Sequence, residues 1–165
     1  MSKNKNLTIK EIFGRAVKNH QEGKTDIAQD LYNQVLKIDP NYSPALNNIA
    51  VIFSNLKEHQ KAKDCYEKAI SIDPNYAAAH NNLGIILKEL RENQKAKECY
   101  EKAISIDPNY AAAHNNLGII LKELRENQKA KECYEKAISI DPNYVNAHNN
   151  LGIIFKELRE NQKAK

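Results

Sequence analysis

Three residue types recur in this chain at a spacing that invites chemistry. Histidines stand at His80, His114 and His148 and cysteines at Cys65, Cys99 and Cys133, both sets stepping by 34 residues. Adjacent asparagines do the same at Asn47-Asn48, Asn81-Asn82, Asn115-Asn116 and Asn149-Asn150. Histidine and thiolate are metal ligands, but a shared metal needs its ligands about 2 Å from one ion. Equivalent residues on successive packed units lie roughly 10 Å apart, the scale of helix packing, and cannot converge on it. The same separation argues against disulfides, whose Cα atoms must lie within about 7 Å. The histidines are therefore expected to pack between units, and the cysteines to serve as small buried apolar residues. No metal or other cofactor is expected. The asparagines pose a different question. A carboxamide carries donor and acceptor together, the complement of a peptide unit, yet asparagine is a mediocre helix former because its amide competes with the backbone.

The elements that must position these residues follow from the repeat, which fills the chain. Asp-Pro-Asn-Tyr recurs at Asp39, Asp73, Asp107 and Asp141, and residues 77–110 and 111–144 are identical. Units are read at 9–42, 43–76, 77–110 and 111–144, with a broken fifth at 145–165, after a tail over residues 1–8; together 9–165 read as one domain. In each unit two apolar stripes at helical spacing predict two helices. In the third unit these are Ala79, Leu83, Ile86, Leu87 and Leu90, then Ala96, Cys99, Tyr100, Ala103 and Ile104. Arg91 to Gln94 reads as the turn, with Asn93 as N-cap of the second helix and Thr25 in that place in the first unit. Asp107-Pro108 ends the second helix, because the residue before proline is driven out of the α region.

His80, Leu83-Gly84, Leu87, Ala96, Tyr100, Ala103 and Pro108 together resemble the signature of the tetratricopeptide repeat (TPR). The resemblance covers residues 9–165, and departs where the family favours tryptophan (His80 here) and in the first unit, where Arg15 and Asn19 take usually apolar positions. It implies an all-α fold, a right-handed superhelical α-solenoid of antiparallel helix pairs. One helical pair cannot bury its own stripe, so stacked neighbours make the core. Gly84 and Ala103 are expected to let helices approach closely, and Tyr100 to fill the space between units. The fifth unit stops as its second helix begins, as in a piece of a longer array; a helix over 145–158 is expected to act as its cap, with Leu151, Ile154 and Phe155 less covered than their counterparts.

On a helical wheel Asn82 points about 100° from Leu83, toward Ala78, Ile85 and Glu89, and Asn81 lies further round near Lys88. The TPR resemblance implies that this side lines the concave groove. Both asparagines of each pair are thus expected there, free of core and turn duties. An extended peptide advances roughly 3.3 Å per residue, so one carboxamide per repeat meets every third residue. Asn48, Asn82, Asn116 and Asn150 are then a ladder that holds a peptide backbone, similar to the asparagine ladder in the TPR superhelix of O-linked N-acetylglucosamine transferases; Gly14 breaks it in the first unit. The alternatives to the ladder are an internal asparagine network and residues merely copied by duplication. Ile85 and Ile119 are expected to add apolar grip, and Lys88, Lys122, Glu89 and Glu123 charge of both signs. The carboxylate clamp of chaperone-binding TPR domains is not matched, since Asn81 and Ile85 stand where its lysine and asparagine would be.

Composition narrows the function. Twenty-five Lys and Arg interleave with 21 Asp and Glu for a net charge of +4, which reads as solvated helix faces and not as a nucleic-acid stripe. No signal peptide or membrane span is legible, so a cytoplasmic protein is the default. Phosphate loops, Cys-x-x-Cys and His-Glu-x-x-His are missing, and every candidate base recurs in its copies. The segment is read as no enzyme but as a scaffold for a protein or peptide partner. The alternatives are the substrate-recruiting arm of a larger transferase, since Ala16 to Gly23, Ala28 and Leu31-Tyr32 resemble the first repeat of bacterial TPR regions fused to such domains, or a self-assembling or engineered repeat protein that stacks head to tail through its C-terminal end.

Overall fold

A computed structural model describes residues 7–163, with side chains to Glu157, so that residues 1–6 of the expected tail and the last two of the fifth unit lie outside the described residues. Helices α1 (Ile9–Gln21), α2 (Thr25–Ile38), α3 (Ser43–Asn55) and α4 (His59–Ile72) form one compact unit ending at Pro74. Helices α5 (Ala77–Glu89), α6 (Asn93–Ile106), α7 (Ala111–Glu123), α8 (Asn127–Ile140) and α9 (Val145–Lys163) form a second, beginning at Asn75. Within each unit helix pairs stack on one another as in an α-solenoid. A Thr8–Glu11 capping box starts α1, with Glu11 N–H donating to Thr8 Oγ1 at 3.3 Å and Thr8 N–H to Glu11 Oε2 at 2.8 Å.

The stripes are the core. Ala79, Leu83, Ile86 and Leu87 are buried on α5, and Ala96, Tyr100 and Ala103 on α6, while Leu90, Cys99 and Ile104 are half-buried. Tyr32, Tyr66, Tyr100 and Tyr134 are the largest fully buried side chains. Their seats are made by missing side chains: a Cβ at Gly84 would fall 2.6 Å from the Tyr100 ring, and one at Gly118 2.5 Å from that of Tyr134. Burial pushes the Tyr134 phenol up from 10.0 to about 12, with Cys133, Glu157 and Glu123 adding to it, and raises Tyr32 despite the hydrogen bond from Asn48. These phenols must stay protonated in the fold and are free to ionise in the unfolded chain. Their stabilisation is complete below the unfolded value near pH 10 and is lost as pH climbs toward about 12. Denaturant midpoints should therefore fall across that window, with tyrosinate absorbance rising together with loss of helix; tyrosine ionisation at full helicity would contradict this.

Two boundaries differ from the sequence reading. Asn93 is the first residue of α6 and Glu92 its N-cap, without a side-chain cap bond, and in the first unit Lys24 takes that place ahead of Thr25. The turn is tighter than expected because Arg91 adopts φ 63° and closes a Schellman motif, with Arg91 N–H to Lys88 O at 2.9 Å and Glu92 N–H to Leu87 O at 2.8 Å. Gly23, Lys57 and Arg125 hold the same left-handed place at φ 75°, 61° and 64°. The second difference is α9, one helix from Val145 to Lys163 where a helix ending at 158 and a turn were expected. The decapeptide KELRENQKAK occurs at 88–97, 122–131 and 156–165, and turns in the first two. In the first two, Tyr100 and Tyr134 pack back on the first helix, and in the third the good helix formers of the segment continue α9 to Lys163.

Candidate functional site

In the second unit α5, α7 and α9 bring the asparagine pairs together, but the two members of a pair do different things. Asn81 and Asn115 are buried at 4% and 3% exposure, as is Asn47 in the first unit, while Asn82, Asn116, Asn150 and Asn48 are half-buried and Asn149 is exposed. The sequence reading aimed both members at the open face. The first member instead fills the seam between successive first helices. Asn116 Nδ2 donates to Asn81 Oδ1 at 3.0 Å, and Asn150 Nδ2 to Asn115 Oδ1 at 3.0 Å. Within pairs Asn81 Nδ2 reaches Asn82 Oδ1 at 3.3 Å and Asn115 Nδ2 reaches Asn116 Oδ1 at 3.5 Å. The carboxamides thus form a relay from repeat to repeat. In the first unit no asparagine precedes the pair, Phe13 and Gly14 standing there. Asn48 Nδ2 donates to the Tyr32 hydroxyl at 3.1 Å instead, and Asn47 Nδ2 to Asn48 Oδ1 at 3.2 Å. That hydroxyl also lies 3.5 Å from His20 Nδ1.

One turn further along, the face changes character. Ile85 is 38% exposed, Ile153 46%, and Ile119 half-buried, whereas the following isoleucines Ile86, Ile120 and Ile154 are fully buried. The lysines expected to offer charge are engaged across repeats: Lys88 Nζ lies 3.8 Å from Glu123 Oε1, and Lys122 Nζ 3.1 Å from Glu157 Oε1. Asn93 Nδ2 donates to Glu123 Oε2 at 2.9 Å, and Asn127 Nδ2 to Glu157 Oε2 at 3.4 Å. Each of these glutamates is thus held from two sides by the preceding repeat, a use of Asn93 and Asn127 that the capping assignment missed. The signal was present as an offset of 30 residues between amide and carboxylate, just short of one period. Glu89 is exposed beside Lys88, Arg91 and Glu123 around a small polar hollow.

Of the histidines expected to pack between units, His114 is half-buried and His148 exposed. Nε2 of His114 lies 3.0 Å from the Pro108 carbonyl and that of His148 2.9 Å from the Pro142 carbonyl, so in both rings Nε2 carries the proton that is donated. His80 is buried. The three cysteines are in no disulfide and half-buried, less enclosed than expected, and burial pushes Cys133 up to about 11 and Cys65 upward. At such values the thiolate, the reactive form, is scarce near neutrality. Among the described residues no group of His, Cys, Asp and Glu could hold a metal ion, and no helix is long and apolar enough to cross a membrane.

Known proteins match this architecture. The tetratricopeptide repeat family model matches residues 43–76, 77–110 and 111–144, and a second tetratricopeptide repeat model matches 133–165. The crystal structure of MamA superposes with a TM-score of 0.76 at 30% identity, over 86% of this chain and 83% of that one. PilF of Pseudomonas aeruginosa gives a TM-score of 0.85 at 25% identity, over 92% of this chain and 69% of its own. The uncharacterized protein ycf37 of Pyropia yezoensis is 44% identical over 43 residues, 26% of this chain and 24% of that protein. The chain thus spans about a quarter of the length of the curated relative it matches.

Proposed function

The chain belongs to the tetratricopeptide repeat family, and from that premise we propose that it is a protein-interaction scaffold holding an extended or short helical segment of a partner along the face shared by α5, α7 and α9. One observation carries the reading: isoleucine recurs on that face, three residues beyond each half-buried carboxamide, exposed at Ile85 and Ile153 and half-buried at Ile119 between them, and not as a scattered single residue. The carboxamides support it. An amide has two N–H bonds and about as many acceptor sites. Asn116 spends one N–H on Asn81 and one lone pair on Asn115. The remaining donor and acceptor suit the C=O and N–H of a passing peptide, as do those of Asn150 and, in the first unit, Asn48. Asn47, Asn81 and Asn115 act in this reading as supports that orient the rungs, and Asn149 as an open end.

Backbone contacts are indifferent to sequence, so affinity comes from the rungs and selectivity from what touches Ile85, Ile119 and Ile153 and the Glu89 and Glu123 carboxylates. The chain works by binding and not by catalysis. Its three widely spaced cysteines, joined in no disulfide, suit a reducing compartment, the cytoplasm. The test compares a peptide array on three proteins of equal helicity: the natural chain, one with Asn82, Asn116 and Asn150 changed to Ala, and one with Ile85 and Ile119 changed to Ser. The asparagine variant should weaken all peptides together by roughly tenfold or more, the charge-neutral cost of lost hydrogen bonds. The isoleucine variant should reorder the peptides. A natural chain that binds none of them, or an asparagine variant that binds as well, would overturn the reading.

A further inference from the structure

At the place that Leu121 takes in its repeat, two other repeats carry phenylalanine, Phe53 and Phe155. Each of those rings has a lysine over it. Lys61 Nζ lies 5.4 Å from the Phe53 ring centroid, and Lys131 Nζ 5.5 Å from that of Phe155. Around Leu121 the counterparts of both lysines are present, Lys129 for Lys61 and Lys97 for Lys131, but there is no ring for them. A hollow of about 360 Å³ opens there between α6, α7 and α8. Its floor is Leu117 and Leu121, both buried, with half-buried Cys133. Its rim carries the two lysines with Lys136, Glu101 and Glu132. Both lysines also hold Glu126, Lys97 Nζ at 3.6 Å from Oε1 and Lys129 Nζ at 2.6 Å from Oε2. Behind burial, Glu132 and Glu101 add to the rise of the Cys133 thiol, so carboxylates from two helices stand near the floor.

We propose that this hollow seats an uncharged aromatic side chain of a protein partner, of phenylalanine or tryptophan size, beside Lys97 and Lys129. Size admits it, since a cavity of about 150 Å³ already holds benzene. Lysine ammonium groups favour a ring face over an aliphatic chain, and the Phe53 and Phe155 rings show these lysine positions used in that way. Charge narrows the choice further. Three lysines repel a cation, while Glu101, Glu132 and the nearby Glu126 repel an anion. Pockets for small molecules enclose most of their ligand. This hollow opens between exposed charged residues, which suits a single anchor whose carrier covers the rim. Leu117 and Leu121 lie roughly 160° round α7 from Ile119, so the seat is separate from the isoleucine face and stands without it.

The probe is N-acetyltryptophanamide, a blocked and uncharged aromatic residue, titrated into the whole chain while leucine methyl signals are followed by NMR. The Leu117 and Leu121 methyls should shift saturably at millimolar amide. N-acetyltryptophan, a carboxylate, tryptamine, an ammonium, and N-acetylleucinamide, which has no ring, should each bind at least about threefold more weakly. Leu121→Phe should weaken the amide at least about tenfold, because the chain's own ring then takes the seat. Phe53 and Phe155 stand at that place in their repeats, so the variant keeps its fold, and circular dichroism checks this. A second variant, Glu101→Gln with Glu132→Gln, changes exposed residues only and should bring N-acetyltryptophan at least level with the amide. No saturable shift at millimolar amide, shifts at Ile119 instead, equal binding of the charged or ringless probes, or a Leu121→Phe chain that binds as before would each overturn the proposal.

Discussion

Tyr100→Ala should lower the stability of the second unit by about 3–5 kcal/mol, the range for deleting a buried aromatic ring. Tyr100 is 1% exposed and its ring lies against Gly84, so no side chain on α5 can move in to close the void. A glycine floor cannot collapse, which places the site at the costly end of cavity formation. The loss is a large fraction of the roughly 5–15 kcal/mol that holds a domain together. In a stacked array it should also be local, since each repeat is held by its neighbours. Chemical denaturation followed by circular dichroism should show a lower midpoint and a broader or split transition, as the α5–α6 pair parts from the rest. Tyr100→Phe, which keeps the ring in its seat, should cost far less. Equal losses for both variants would move the stabilisation from the ring to the hydroxyl.

Much of this architecture is legible in the chain because the signal is repeated in phase. Ala79, Leu83, Ile86 and Leu87 are buried where the stripe puts them, whereas the Tyr100 ring, expected between units, sits on Gly84 of its own repeat. What escapes a single-helix reading is whatever depends on the crossing of helices from different repeats. Asn81 and Asn82 differ by about 100° on the wheel, and both stand clear of the stripe. Only the placement of α7 against α5 makes one a seam residue and the other a face residue. Asn93 escapes for a backbone reason: Arg91 at φ 63° closes the turn one residue early and frees the Asn93 amide for Glu123. The third KELRENQKAK shows the limit most plainly, since identical residues turn at 88–97 and 122–131 and continue a helix to Lys163 in the third. Local sequence sets the options there, and tertiary contact chooses.

The same choice predicts opposite signs for one substitution made at two places in one heptapeptide. Gly84→Ala puts a methyl 2.6 Å from the Tyr100 ring, with two further ring atoms at 2.9 Å. The atoms met are the body of a buried ring and not the end of a flexible chain, so the helices must part, at about 1–3 kcal/mol for overpacking. Alanine returns only about 0.5–1 kcal/mol of helix propensity, so the net effect is destabilising. Gly152→Ala, in the identical HNNLGII, meets nothing within 4 Å and keeps only the propensity gain, so it should stabilise α9 by about 0.5–1 kcal/mol. Urea midpoints of the two variants should therefore move in opposite directions. Adding Tyr100→Leu to Gly84→Ala separates the clash from any general intolerance at the site. The smaller side chain gives the methyl room, so the double variant should lose less than the two single losses combined, by a coupling of about 0.5–3 kcal/mol. Strict additivity would mean that the glycine is needed for its backbone alone and that the ring makes no demand on its size.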